Sequence, residues 1–518
     1  MAKAKTIMIQ GTGSHVGKSV LTAALCRIFR QEGFHVAPFK AQNMALNSFI
    51  TREEGEIGRA QAVQAEAAGV EPTVDMNPIL IKPNTDIGAQ IIIHGKVYSN
   101  MKASEYCQFK EKAKIAVMES YQRLAERFEI IVIEGAGSPA EINLRDGDIA
   151  NMGMAEMADA PVLLLGDIDK GGVFASLFGT VELLPPEERK RIKGFIINKF
   201  RGDIDLLKPG LTFLQEKTGI PVLGVIPYIY DLYLQEEDGV CLEGKRAETC
   251  PRPISIAVLC LHHISNFTDF DALEREPDVH LRYVRKGERI GKVDVIIIPG
   301  SKNTIDDLCK LREEGYDREI LEHSQEDRWV VGICGGYQML GRTIYDPFGM
   351  ETEKKEIEGL GLLPINTVIG KEKKTFQVEA IFLDPSDREI NKKYPIKGYE
   401  IHMGETHICG EARHLFKIIR RSDKPCSLED GVCSLNGKVW GTYIHGLFDN
   451  HHFRRSFLNQ IRIKKGLEPI DQNGVTFDQD KVYDKLAYLV RNSLDMQLIY
   501  RILRFPTIVK EVEFYQGK

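Results

Sequence analysis

At 518 residues the chain is too long for one hydrophobic core, so two or three domains are expected. Hydrophobic residues at 43% and charged residues at 27% are those of a soluble globular protein. A net charge of −6 argues against a nucleic-acid partner, and no apolar run approaches the ~20 residues of a membrane span. The basic start Met1–Lys5 leads straight into a strand-like run and does not read as a signal peptide. Ten cysteines without a C-x-x-C pair point away from a disulfide framework or structural zinc and towards a reducing cytoplasm. The sequence leaves the oligomeric state open.

In chain order, the apolar strand Thr6–Ile9 runs into Gly11-Thr12-Gly13-Ser14-His15-Val16-Gly17-Lys18-Ser19, and Lys18–Gln31 continues as a helix. Strand, glycine loop and helix together make a phosphate cradle, because backbone N–H groups and a helix N-terminus surround phosphate oxygens. Gly11, Thr12, Gly13 and Gly17 shape the loop, Lys18 reaches the β- and γ-phosphates, and the Ser19 hydroxyl ligates Mg²⁺. The spacing departs from G-x4-G-K-[ST], since Thr12 takes the first glycine's place and Gly11 lies one residue early. The loop resembles that of the dethiobiotin-synthetase class of P-loop proteins.

Ile130–Ile133 is a second apolar strand, and it ends in Glu134. An acid at that point is placed to help hold the metal, or else caps the loop that follows. Lys170-Gly171-Gly172-Val173 reads as a glycine-rich active-site loop after the strand Pro161–Leu165. Strands at Gly194–Ile197 and Pro221–Val225, with helices at Glu105–Arg127 and Leu206–Lys217, complete an α/β alternation over residues 1–235. That pattern implies a mostly parallel sheet covered on both faces, here an ATP-binding synthetase domain. The polar stretch 236–253 reads as a linker.

A second alternation, with strands at Ile254–Leu261, Val293–Ile298, Trp329–Ile333 and Val439–Ile444, defines a domain over 254–450. Cys334 follows the third of these strands and is followed by Gly335-Gly336. Small neighbours allow a sharp strand-to-helix turn that exposes a nucleophile and aims backbone N–H groups at a developing oxyanion. His445, at the end of another apolar strand, is the candidate base, although 111 residues separate it from Cys334. Residues 451–518 read as a helical tail with stretches at His452–Lys464 and Val482–Leu503.

This second domain resembles the class I glutamine amidotransferases, which implies a flavodoxin-like α/β fold. The resemblance implies an oxyanion strand at Val295–Ser301 containing Gly300, a backbone donor at Gly335, and a Gln338 side chain that helps hold glutamine. The family's glutamate two residues after the histidine is absent, since Leu447 stands there. A Cys334–His445 dyad is therefore expected; Asp449, near His445 in sequence, and Glu400, in the Gly398–Gly404 motif, are the acids considered for orienting the imidazole.

A P-loop synthetase joined to this glutaminase type resembles the cobyric acid / cobyrinic acid a,c-diamide synthase group. The segments that carry the likeness are Pro38–Ser48, Glu134–Leu144, Asp167–Phe174, Ile197–Asp203, Ile264–Asp269 and Gly398–Gly404. Their detail favours the cobyric acid branch. The resemblance implies a corrinoid substrate, glutamine as nitrogen donor, ATP and Mg²⁺. It implies amidation of the b, d, e and g carboxylates of adenosylcobyrinic acid a,c-diamide through acyl phosphates. It also implies that Lys40 meets the carboxylate or the transferring phosphoryl group and that Asn198 lies near adenine. The a,c-diamide synthase remains an alternative within the group. A P-loop switch ATPase with an inert glutaminase-like module is a second, against which intact Cys334 and His445 argue.

Overall fold

The computed structural model describes residues 4–83, 88–230, 234–235, 252–383, 394–471 and 478–505; the side chains of 102–108 are not among them. The expected linker 236–253 lies outside the described residues except for Arg252 and Pro253, and so does the chain beyond Phe505.

Among the described residues, the N-terminal half is built on a six-stranded sheet. Its strands run in the spatial order Val222–Pro227, Ile192–Phe200, Val162–Asp167, Lys5–Gly11, Ile130–Glu134, Val36–Phe39, and every pairing is parallel. Parallel strands covered on both faces need apolar residues on both sides, which is why Ile130–Ile133 and Val162–Leu165 are uninterrupted apolar runs at 0% exposure. The helix Lys18–Gln31 packs on one face through Leu21, Leu25, Ile28 and Phe29. The helix Ala103–Arg127 packs on the other, through Ala113, Val117 and Leu124.

Between the second and third sheet strands in sequence, the chain makes an excursion that the α/β alternation did not anticipate. A small sheet of Gln42–Met44, Ile79–Pro83, Gly88–Ile93 and Lys96–Lys102 forms there, with a hairpin of Ser48–Ile50 and Glu56–Gly58 beside it. This excursion faces the C-terminal half.

That half holds a parallel core in the order Val279–Val284, Ile254–Leu259, Val295–Ile298, Trp329–Ile333, Val439–Thr442. The sheet continues antiparallel through Lys424–Cys433, Arg413–Arg421 and the long strand Ile365–Phe382. Ile396–Ile408 pairs with Ile365–Phe382 and also with the short strand Ile444–His445, so one arm of this long hairpin lies over the histidine.

The described residues between 451 and 505 do not form one unit. His451–Lys464 packs into the C-terminal core through Phe453, Phe457, Leu458 and Ile461. Gln479–Ser493 and Met496–Ile502 cross back to the N-terminal half, where Tyr483, Leu486, Ala487 and Val490 join the core beside helix Lys18–Gln31. Arg27 Nε donates to Asp484 at 2.8 Å, and Tyr483 OH donates to Glu66 at 2.9 Å. The tail thus ties the two halves together.

Candidate active site

The glycine loop leaves the central strand Lys5–Gly11 and enters helix Lys18–Gln31 through Gly17, whose φ of 104° is left-handed. A β-carbon at Gly17 would lie 2.2 Å from Asn198 Nδ2, so both the conformation and the space require glycine. Asn198, at the end of the strand Ile192–Phe200, uses that amide to donate to Val16 O at 2.8 Å. It braces the loop from two strands away in the sheet. Thr12 N donates to Leu165 O at 3.0 Å, which pins the loop to the adjacent strand Val162–Asp167. A β-carbon at Gly11 would meet Val16 at 2.5 Å, whereas Gly13 stands in open space.

Lys18 Nζ donates to Gly13 O at 2.8 Å and to Gly137 O at 3.0 Å, so the ammonium lies across the mouth of the loop. Ser19 Oγ donates to Glu134 Oε1 at 2.8 Å. The same carboxylate takes Lys40 Nζ at 2.9 Å and Gln64 Nε2 at 2.6 Å. Glu134 is 1% exposed. Burial alone would raise its pKa, but Lys40 and the hydrogen bonds from Gln64 and Ser19 hold it below the usual carboxylate range. The structure therefore brings Lys18, Ser19, Lys40 and Glu134 together at the carboxyl ends of the parallel strands, where ligands bind in such sheets.

Cys334 occupies the turn between the strand Trp329–Ile333 and the short helix Gly335–Met339, with φ 52° and ψ −106°. Strain of this kind at a non-glycine residue persists only when its surroundings enforce it. A β-carbon at Gly336 would fall 1.9 Å from Ile298 O and one at Gly332 would fall 2.7 Å from the backbone of Gly336, so glycines on both sides make the turn possible. Gly335 packs against Ser301, and Gly300 lies against the imidazole of His445. Gln338 accepts from Thr304 Oγ1 and donates to Tyr443 OH, each at 3.1 Å.

The dyad expected from the sequence is corrected here. His445 is fully buried, and its Nδ1 lies 2.7 Å from Asp269 Oδ2. Asp269 Oδ1 also accepts from Gly446 N at 2.9 Å, which locks the carboxylate to the histidine's own turn. The Cys334 thiol donates to Ile401 O at 3.5 Å, and the Tyr399 ring stacks on the imidazole at 5.2 Å. Burial would lower the pKa of His445, but Asp269 and Cys334 raise it to about 10. Glu400 is held elsewhere, bonded to Arg421 at 2.7 and 2.9 Å. Asp449 is buried, and its Oδ2 stands 3.5 Å from where a β-carbon of Gly446 would lie, facing that turn and not the ring. Asp269 closes the first of the C-terminal half's sequence motifs, Ile264–Asp269; its signal was present, but no spacing rule linked it to His445.

The two halves meet beside this thiol. Asn266 Oδ1 accepts from Ser48 N at 2.9 Å, and Asn47 Oδ1 accepts from Phe267 N at 3.0 Å. Asn266 Nδ2 stands 3.5 Å from His445 Nε2. The segment that carries Asn47 also carries Lys40, so a short run of chain connects the Glu134 carboxylate to the imidazole.

Residues 7–240 match the family described as the CobQ/CobB/MinD/ParA nucleotide binding domain, and residues 255–453 match the CobB/CobQ-like glutamine amidotransferase domain. Fold and site thus define a class, a nucleotide-binding domain joined to a glutamine amidotransferase. Across its length the chain is 52% identical over 508 residues to the cobyric acid synthase of Caldanaerobacter subterraneus subsp. tengcongensis, covering 96% of this chain and 98% of that protein. It is 54% identical over 501 residues to that of Thermoanaerobacter sp. (strain X514), with the same two coverages. The chain belongs to the cobyric acid synthase family and is a glutamine-dependent amide ligase of cobalamin biosynthesis.

Proposed function

We propose that the two sites run consecutive chemistry on a corrinoid. Cys334 Sγ attacks the carboxamide carbon of glutamine, and His445 passes a proton to the departing ammonia. Water, deprotonated by His445, then releases glutamate from the thioester. Asp269 holds the imidazole with Nδ1 engaged, which leaves Nε2 for the thiol and the leaving group. Backbone N–H groups at Gly300 and Gly335 would receive the oxyanion.

In the N-terminal half, Lys18 meets the β- and γ-phosphates of ATP, and Lys40 meets the corrin carboxylate or the phosphoryl group moving to it. Transfer gives ADP and an acyl phosphate; ammonia displaces phosphate and leaves an amide. Asn198 sets the loop that surrounds the phosphates. The hydroxyl of Ser19 and the buried carboxylate of Glu134, 2.8 Å apart, are a hard-oxygen pair that fits Mg²⁺. They would hold the ion, and its contribution is to neutralise charge on the transferring phosphoryl group. The acceptors in this reading are the b, d, e and g carboxylates of adenosylcobyrinic acid a,c-diamide, in a cytoplasmic enzyme.

One observation carries the reading: a buried Cys–His–Asp arrangement touches, through Asn266 and Asn47, the segment that holds Lys40. Incubation with ATP, Mg²⁺, glutamine and candidate corrinoids, followed by mass spectrometry, tests it. Four successive amidations of the a,c-diamide are expected. Amidation of cobyrinic acid to the a,c-diamide instead would assign the other branch.

A further inference from the structure

The pocket in front of Cys334 is lined by both halves of the chain, and it contains more charge than the hydrolysis of an amide requires. Lys82, Lys302, Lys373 and Glu351 all line it together with Cys334 and Gln338. Lys82 comes from the small N-terminal sheet, and Lys373 from the long C-terminal hairpin.

Two of these lysines share one partner. Glu56, 1% exposed, accepts from Lys82 Nζ at 2.7 Å and is ion-paired to Lys373. Lys82 is fixed further by Ser48 Oγ at 2.6 Å. Lys302 is the third cation, and its ammonium has no ion pair among the described residues; only its backbone N–H is engaged, with His263 O. Burial, then Lys373 and Lys82, push it well below the ordinary lysine range. Three lysines around one carboxylate leave positive charge that an incoming anion would offset.

Glu351 supplies the opposite sign at the same segment. Its Oε2 accepts from Ile305 N at 3.1 Å, three residues beyond Lys302. Burial raises its pKa to about 7, with Asp346 adding to the rise, so a cation beside it would favour the ionised form.

A pocket holding an ammonium and a carboxylate, neither of them in an ion pair among the described residues, beside a nucleophile suits a zwitterion whose amide reaches that nucleophile. We infer that Lys302, backed by Lys373 and Lys82, receives the α-carboxylate of glutamine and that Glu351 receives its α-ammonium. The assignment rests on Cys334 being the glutaminase nucleophile. Because Lys82 and Glu56 belong to the N-terminal half, the glutamine pocket is complete only when the two halves are in contact.

The test compares ammonia release from L-glutamine, from 4-aminobutanamide, which lacks the α-carboxylate, and from 5-amino-5-oxopentanoate, which lacks the α-ammonium. Wild-type protein is expected to favour glutamine over each by roughly 10–100-fold in kcat/KM, the range for a charged hydrogen bond. Lys302→Met is expected to raise KM for glutamine by a similar factor and to abolish the preference over 4-aminobutanamide alone. Lys302→Arg is expected to restore that preference. Glu351→Gln is expected to abolish the preference over 5-amino-5-oxopentanoate alone. Undiminished preference in Lys302→Met overturns the assignment. So does wild-type protein that uses 4-aminobutanamide as well as glutamine, an outcome that does not depend on any variant folding. Wild-type protein that releases no ammonia from glutamine overturns the glutaminase reading beneath it.

Discussion

Asp269 and His445 lie 176 residues apart in the chain, and their side chains meet at 2.7 Å. In the proposed reaction the carboxylate fixes which imidazole nitrogen is left for the thiol and stabilises the imidazolium that forms when the thiol gives up its proton. Asp269→Asn is expected to lower glutaminase kcat by on the order of 10²–10⁴, the scale seen when a triad's orienting acid is lost. Asp449→Asn and Glu400→Gln are expected to lower it far less, since neither is bonded to the ring. Steady-state glutamine hydrolysis by the three variants decides the matter; equal losses would contradict the assignment of Asp269.

The same pair makes stability depend on pH. Folding raises the pKa of His445 from 6.5 to about 10, so the folded protein binds that proton more tightly than the unfolded chain. The stabilisation is fully present below the unfolded value and is lost as pH rises through the folded one. The stability gap between wild type and Asp269→Asn is therefore expected to be widest near about pH 6 and to close towards about pH 10. Denaturant midpoints across that range measure it, and a constant gap would contradict the account.

Asn47 and Asn266 form the contact between the synthetase half and the histidine. Asn47→Ala and Asn266→Ala each remove one arm of the clasp. Glutamine is then expected to be hydrolysed in excess of amide formed, with ammonia-driven synthesis much less affected. The ratio of glutamate to corrinoid amide reports this; a ratio near that of wild type would show that the clasp has no part in coupling.

Leu486 lies in what the sequence presents as a tail, yet it is 0% exposed and packs beside helix Lys18–Gln31. Leu486→Ala is expected to cost about 2–5 kcal/mol, as for a core leucine. Urea unfolding followed by a probe in the N-terminal half checks this, and a loss of under about 0.5 kcal/mol, the range of surface changes, would contradict the packing.

Much of this was legible because local chemistry has few solutions. Gly17-Lys18-Ser19 after an apolar strand, and Cys334 between glycines after another, each demand one backbone path, and the structure brings Lys18, Ser19 and Glu134 together as that path requires. The third acid was not legible, because only the fold brings Asp269 to His445. The long hairpin Ile365–Phe382 and Ile396–Ile408 escaped notice because the charged middle of its first strand, Gly370–Lys374, breaks the alternation and its register shifts between Ile369 and Lys374. With it went Lys373 and the interdomain pocket. The tail's division between two cores was hidden because amphipathic periodicity shows that a helix buries a face but not against what.

The central claim is that Cys334 and Lys18 serve successive halves of one reaction, and the most direct measurement is amide formation on the corrinoid by Cys334→Ser and Lys18→Ala with each nitrogen source. Cys334→Ser is expected to make no amide from glutamine while keeping ammonia-driven amidation within about 2-fold of wild type, since the thiol is used only to release nitrogen. Lys18→Ala is expected to lose on the order of 10²–10³ in rate with either source, by analogy with the loss of one donor to a charge developing in the transition state. Loss of ammonia-driven amidation in Cys334→Ser, or near-normal synthesis by Lys18→Ala at saturating ATP, would contradict the account.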